Sequence, residues 1–222
     1  MDNRIIRVTG KGAVRVRPDT TRLTLTVGGL CPAYGEALKQ SAEDTEALKA
    51  ALSPLGFAGT DLKTTLFDVD TEYEGYQDEQ GRWQNRFAGY RWQHALKLEF
   101  LSDRERLGRI LFALGESPVR PEMHIGYTVS DPETVKNELL GKAVGDAKAK
   151  AAVLTAAAGV RLCELLSIDY SWGQLDLEVR PMRKAVMMDA CAGASAENAL
   201  ELDLEPEDVE TSDTVTAVWR IE

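Results

Sequence analysis

Two histidines, a row of carboxylates and a cluster of soft sulfur atoms are the residues of this chain whose types can do chemistry. His94 and His124 each qualify as a general base, because imidazole titrates near neutrality. Neither has a companion nucleophile or metal ligand at a recognisable spacing, and the G-x-S-x-G, H-E-x-x-H, P-loop and Rossmann signatures are absent. Asp68, Asp70, Glu72 and Glu74 occupy alternate positions, so on a strand they form one row of hard oxygen ligands suited to Ca²⁺. Residues two apart in a strand lie roughly 7 Å from each other, too far for one ion to take all four. A solvated face that discourages edge-to-edge pairing is the expected reading. Met182, Met187, Met188 and Cys191 bring together ligands that suit Cu(I), although adaptable packing or an interface is the commoner use of methionine. No catalytic residue, metal site or cofactor is assigned, and a non-enzymatic role is the leading expectation. The alternatives are a small-molecule-binding protein or enzyme using His94 or His124 in a pocket, and a metal-binding protein using the carboxylate row or the Met/Cys segment.

Aromatic residues supply the second kind of chemistry. Tyr73, Tyr76, Trp83, Phe87, Tyr90 and Trp92 cluster, with Arg82, Arg86 and Arg91 interleaved, a composition that can stack on single-stranded nucleic acid. Acidic residues outnumber basic ones 36 to 26, however, and a net charge of −10 repels phosphate backbones. No nucleic-acid partner is expected. Protein–protein contact suits the cluster better, and the candidate interface is Tyr73, Tyr76, Trp83, Tyr90 and Trp92 with Met182, Met187 and Met188.

At 222 residues the chain can bury a sizeable core, and its apolar (44%) and charged (28%) fractions are those of an ordinary globular protein. Cys31, Cys163 and Cys191 are odd in number and far apart, which is neither a disulfide framework nor a metal-ligand spacing. No apolar run approaches the ~18–20 residues needed to span a bilayer, so no membrane span is expected. The N-terminus shows no basic segment followed by an apolar one. The expected location is cytoplasmic, or periplasmic if an export signal has been removed from this sequence.

These residues need elements to position them. Ile5–Thr9 and Ala13–Arg17 read as a strand pair joined at Gly10-Lys11-Gly12; the loop is not a phosphate cradle, because no helix follows it. Leu23, Leu25 and Val27 alternate with polar residues as in a half-buried strand. After Pro32 the stripe Tyr34, Leu38, Ala42, Thr45, Leu48 and Leu52 predicts a helix. Strands over about 61–74 and 87–101 follow, with 75–86 as the hairpin tip. Ser102-Asp103-Arg104-Glu105 predicts a capping box, with Ser102 as the cap of a helix burying Leu107, Ile110, Leu111 and Leu114. Met123, Ile125, Tyr127 and Val129 then share one strand face. From Thr20 to Ser130 the order is βαββαβ, that of the ferredoxin-like unit.

Ser130-Asp131-Pro132-Glu133 opens the longest helix, with a cap, a proline where no N–H is needed and an acid at the positive end. Val135, Leu139, Ala143, Ala147, Ala151 and Leu154 form its stripe. Gly141 and Gly145 each cost roughly 1 kcal/mol against alanine in a helix, which predicts close packing against them. A strand over 165–170, an irregular arm over about 171–206 and a closing strand through Val215, Ala217, Trp219 and Ile221 complete the chain. The expected architecture is α+β: a mostly antiparallel sheet with helices packed on it, ferredoxin-like in order, plus an added long helix and strands, in one domain over 1–222.

Several of these stretches resemble the SIMPL-domain family, which includes bacterial periplasmic antigens, stress-linked proteins and a eukaryotic adaptor associated with a pelle-like kinase. The matching residues are Val8-Thr9-Gly10-Lys11-Gly12, Val16-Arg17-Pro18-Asp19, Thr64-Thr65, Tyr73, Gly89-Tyr90, Asp146-Ala147-Lys148-Ala149-Lys150-Ala151, Leu154, Gly159-Val160-Arg161-Leu162, and Pro206-Glu207 leading into the closing strand. Cys163 stands where the family often has glycine, and Glu207-Asp208 replaces its usual Pro-Gly turn. The resemblance implies an α+β fold and assembly into large rings or cages. It implies no agreed activity, so the expected role is that of a homo-oligomerising adaptor or stress-related protein.

Overall fold

Alternation of apolar and polar residues makes the strands, and they divide between two antiparallel sheets where one was expected. The computed structural model describes residues 4–170, 177–179 and 206–222. They fold as two compact units, one from Met1–Asp19, Thr128–Val179 and Pro206–Glu222, the other built on Thr20–Tyr127. The elements are β1 (Ile5–Val16), β2 (Thr20–Cys31), α1 (Tyr34–Leu52), a 3-10 turn (Ser53–Leu55), β3 (Lys63–Gln77), β4 (Trp83–Leu101), α2 (Arg104–Gly115), β5 (Glu122–Thr128), α3 (Pro132–Ala157), β6 (Leu162–Asp169) and β7 (Val209–Ile221).

The first unit is a three-stranded antiparallel sheet, β1-β7-β6, with α3 laid on it. The expected strand pair at Ile5–Arg17 is instead one continuous strand, β1. Its glycines are there for the helix and not for a turn. A Cβ on Gly10 would lie 2.1 Å from the Ala143 carbonyl oxygen, and one on Gly12 would lie 2.1 Å from that of Leu139. The close packing predicted at Gly141 and Gly145 is likewise corrected, since among the described residues nothing lies within 4 Å of a Cβ placed there. The intimate face of α3 is Val135, Leu139, Ala143, Ala147, Ala151 and Thr155, all buried, whereas Leu154 is exposed. Asp131 caps the helix by accepting from the Thr134 N–H at 3.0 Å, with Pro132 in the first turn. The Lys150 ammonium bonded to Asp146, and the Lys11 N–H donated to the same carboxylate, hold it below the usual carboxylate range.

The second unit is the ferredoxin-like part. Its sheet order is β3-β4-β2-β5, so β4 is inserted between β2 and β3 as in a split βαβ unit. In the antiparallel β2–β4 register Leu23, Leu25 and Val27 pair with Leu98, Leu96 and His94. That face meets Ala37, Leu48 and Leu52 of α1 and Leu107, Ile110 and Leu114 of α2 in the larger core. The stripe predicted for α1 holds only in its second half: Tyr34 and Leu38 are exposed, while Ala37 and Ser41 face inward. The cap of α2 also moves by one residue. Asp103 accepts from the Arg106 N–H at 3.0 Å, and Ser102 bonds the Thr21 hydroxyl.

Candidate functional site

Strands β3 and β4 pair from Lys63–Lys97 out to Gln77–Trp83, so the hairpin tip shrinks from the expected 75–86 to residues 78–82. Asp78 builds that tip. Its carboxylate accepts from the Gln80 and Arg82 backbone N–H groups, each at 3.0 Å, and from Arg82 Nε at 2.9 Å, and Gly81 supplies a φ of 75°. Those donors, the Arg82 N–H foremost, hold the Asp78 carboxyl below its ordinary value. Near the base of the ribbon the register shifts between Glu72 and Tyr73. There Gly89 adopts a φ of 149°, and a Cβ on it would sit 2.6 Å from the Cys31 carbonyl oxygen, a position only glycine fills.

Pairing sorts the side chains onto two faces. On one, Tyr73 meets Phe87 with ring centroids 5.9 Å apart, Phe87 meets Tyr90 at 5.3 Å, and Tyr90 meets Tyr34 of α1 at 5.7 Å, all edge to face. Trp83 extends this face over Gly75. Tyr73 is 60% exposed, Trp83 73% and Phe87 47%. The opposite face carries the acidic row. Arg91 grips Glu72 through two bonds of 2.8 and 2.9 Å, and Arg86 pairs with Glu74 while lying 5.7 Å above the Tyr76 ring. The Arg91 guanidinium lowers the Glu72 pKa, and Glu72 raises that of Arg91. Two of the four carboxylates thus take a cross-strand arginine. Among the described residues no group of three or more His, Cys, Asp or Glu side chains could hold a metal ion.

The remaining candidates scatter. Trp92, expected at the interface, is only 1% exposed and belongs to the core of the second unit, because its register partner is Gly29, whose missing side chain leaves room for the indole. Tyr90 is half-buried within the aromatic chain. Met182, Met187, Met188 and Cys191 lie outside the described residues. His124 is exposed on β5. His94 is spoken for on both ring nitrogens: Nδ1 lies 2.9 Å from Ser41 Oγ and 3.3 Å from Thr45 Oγ1, and Nε2 lies 2.8 Å from Thr64 Oγ1. Burial and the nearby Lys49 ammonium push its pKa down, so it sits neutral as a polar tie between α1 and the sheet. Tyr34, which the helical stripe predicts to be buried, is exposed and packs on Tyr90.

The family model SIMPL, described as a protein of unknown function (DUF541), matches residues 6–219. A 26 kDa periplasmic immunogenic protein of Brucella abortus (strain S19) is 28% identical over 163 residues, which cover 73% of this chain and 65% of that protein. The chain therefore spans about 65% of the length of that relative. Two solved structures from Listeria innocua also align over 95% of this chain and 92% of theirs. One is an uncharacterized conserved protein at 11% identity with a TM-score of 0.23; the other, titled a hydrolase, has 9% identity and a TM-score of 0.25. Superpositions that loose constrain neither fold nor activity. Among the described residues no helix is long and apolar enough to cross a membrane. With the family model covering nearly its whole length, this chain belongs to the SIMPL family.

Proposed function

We propose that this protein is a non-enzymatic assembly protein that associates with copies of itself through the aromatic face of the β3–β4 ribbon. The observation that carries this reading is the exposure of Tyr73, Trp83 and Phe87 on a regular, paired ribbon. Rings held in place by strand pairing lose little freedom on binding and exclude much apolar area from water, which is why Tyr and Trp anchor interfaces. Two ribbons facing each other across a two-fold axis would bury the same patch on both copies. Light scattering at micromolar concentrations tests the proposal: wild type should show a mass that is a multiple of the monomer, and Trp83→Ala with Tyr73→Ala should shift it toward the monomer. A wild-type chain that stays monomeric throughout overturns it.

The periplasmic name of the Brucella relative supports an exported, periplasmic protein in preference to the cytoplasmic location expected from the sequence. Fractionation of cells expressing the native gene tests this, with recovery in the cytoplasmic fraction as the opposing result.

A further inference from the structure

Among the described residues, the first unit carries an unpaired strand edge beside an apolar cavity. β1 ends its sheet. The Arg4 carbonyl accepts from the Ile221 N–H at 3.0 Å, whereas the Lys11 N–H turns the other way, to Asp146 Oδ2 at 2.7 Å. Residues of an antiparallel strand alternate between facing the neighbour and facing away. Ile5, Arg7 and Thr9 therefore direct their N–H and C=O groups outward. Asp146 of α3 closes the edge at Lys11 and leaves this stretch open on its N-terminal side.

Along the same stretch lies a cavity of about 460 Å³, lined by Val8, Ala149, Lys150, Val153 and Leu154. Val153 is 69% exposed and Leu154 52%, although both sit on a helix whose other face is fully packed. On the side of the sheet away from α3, Arg7 and Lys11 point to solvent, and among the described residues neither has an ion-pair partner. They place two positive charges on this side of a chain whose net charge is −10.

We propose that this groove between β1 and the C-terminal half of α3 takes an extended peptide strand from a partner protein, with apolar side chains toward the helix and carboxylates on the opposite side. A strand added to an open edge gains main-chain hydrogen bonds for affinity, and its alternating side chains read the two faces for specificity. Here the helix side offers Val153, Leu154 and the cavity, and the far side offers Arg7 and Lys11. The ligand that fits both alternates leucine with glutamate or aspartate. The chain's own sequence contains such a run, Leu200-Glu201-Leu202-Asp203-Leu204-Glu205, which supplies a ready probe.

A fluorescently labelled peptide of the sequence Ala-Leu-Glu-Leu-Asp-Leu-Glu, titrated with the full chain and read by anisotropy, tests the proposal. Saturable binding is expected, weakened about tenfold or more by Val153→Glu and by Arg7→Glu. Both residues are exposed, and thermal melting of the variants separates lost binding from lost folding. Two altered peptides should bind as poorly: one with lysines for the carboxylates, and one with proline for the central leucine, which removes a ladder donor. Failure to saturate by millimolar protein, or affinity indifferent to Val153→Glu and to peptide charge, overturns the proposal. If wild type binds nothing while the Leu200→Ser, Leu202→Ser, Leu204→Ser variant does bind, the groove's occupant is this chain itself and the partner proposal falls.

Discussion

In the first unit a helix meets its sheet almost backbone to backbone; in the second, the helices meet theirs through large side chains. α3 sets Leu139, Ala143 and Ala147 onto Gly10 and Gly12 of β1, at a separation that leaves no room for one added carbon. α1 and α2 instead press Leu48, Leu52, Ile110 and Leu114 against Leu23, Leu25, Trp92, Leu96 and Leu98. Both contacts bury apolar surface, but they fail in opposite directions. A contact made of absent side chains is vulnerable to enlargement, and one made of bulky side chains is vulnerable to truncation.

The largest expected effect is therefore Gly10→Val. Its Cβ would fall 2.1 Å from the Ala143 carbonyl oxygen and 2.3 Å from the Ala147 nitrogen, both backbone atoms that cannot step aside. A loss of about 3 kcal/mol or more in denaturant titration is expected, above the usual range for overpacking. An unchanged midpoint would dissolve the contrast between the units. Next comes Leu98→Ala in the second unit, fully buried in the wild type, with an expected loss of about 2–5 kcal/mol. Gly141→Ala should do the reverse of Gly10→Val on the same pair of elements. The position is helical and among the described residues nothing lies within 4 Å of the new carbon, so a gain of about 1 kcal/mol in stability is expected. A loss there would mean that the outer face of α3 is covered after all.

The smallest effect is electrostatic and separates the units by pH. Burial and Lys49 lower the His94 pKa from its ordinary 6.5, so the unfolded chain binds a proton that the folded second unit resists. Stability is then complete above about pH 6.5 and falls as the pH drops through that value toward the folded pKa. Hydrogen exchange should show the amides of α1 and β4 losing protection between neutral and mildly acid pH, ahead of those of β1 and β7. His94→Gln should flatten that response. Equal loss in both units, or no change in the variant, would remove His94 as the cause.

Periodicity made the second unit legible. Leu23, Leu25 and Val27, the helix of Leu107 and Ile110, and the βαββαβ order all came through because each element is long and its apolar residues repeat at one period. Reading went astray where a residue's meaning depends on what lies across from it. Gly10 and Gly12 look like a turn until a helix is laid over them, and Gly141 and Gly145 look like a packing face, yet no described residue packs there. Trp92 and Trp83 are the same residue type on the same strand, and only the register separates a core indole from an exposed one. Ser41 shows no apolar character, and its burial follows from the imidazole it meets. Of the expected interface residues, Tyr73 and Trp83 share the exposed aromatic face of the ribbon, whereas Tyr76 falls on the opposite face beneath Arg86. Phe87 already belongs to the aromatic cluster of the sequence, and Tyr34 joins it through helix phase, which composition does not encode.

The register of β1 with β7 has a consequence in time. Ile5 pairs with Arg220 and Val16 with Val209, so β1 must wait for a partner made about 200 residues later. Strands β2 to β5 and their two helices lie within 20–128 and close over far shorter loops, so they are free to fold while translation continues. Throughout that interval β1 is a finished strand with no mate, apolar on the side that α3 will later cover. Arg7, Lys11 and Arg15 put three positive charges on its other, exposed side, which disfavours edge pairing with a wrong strand.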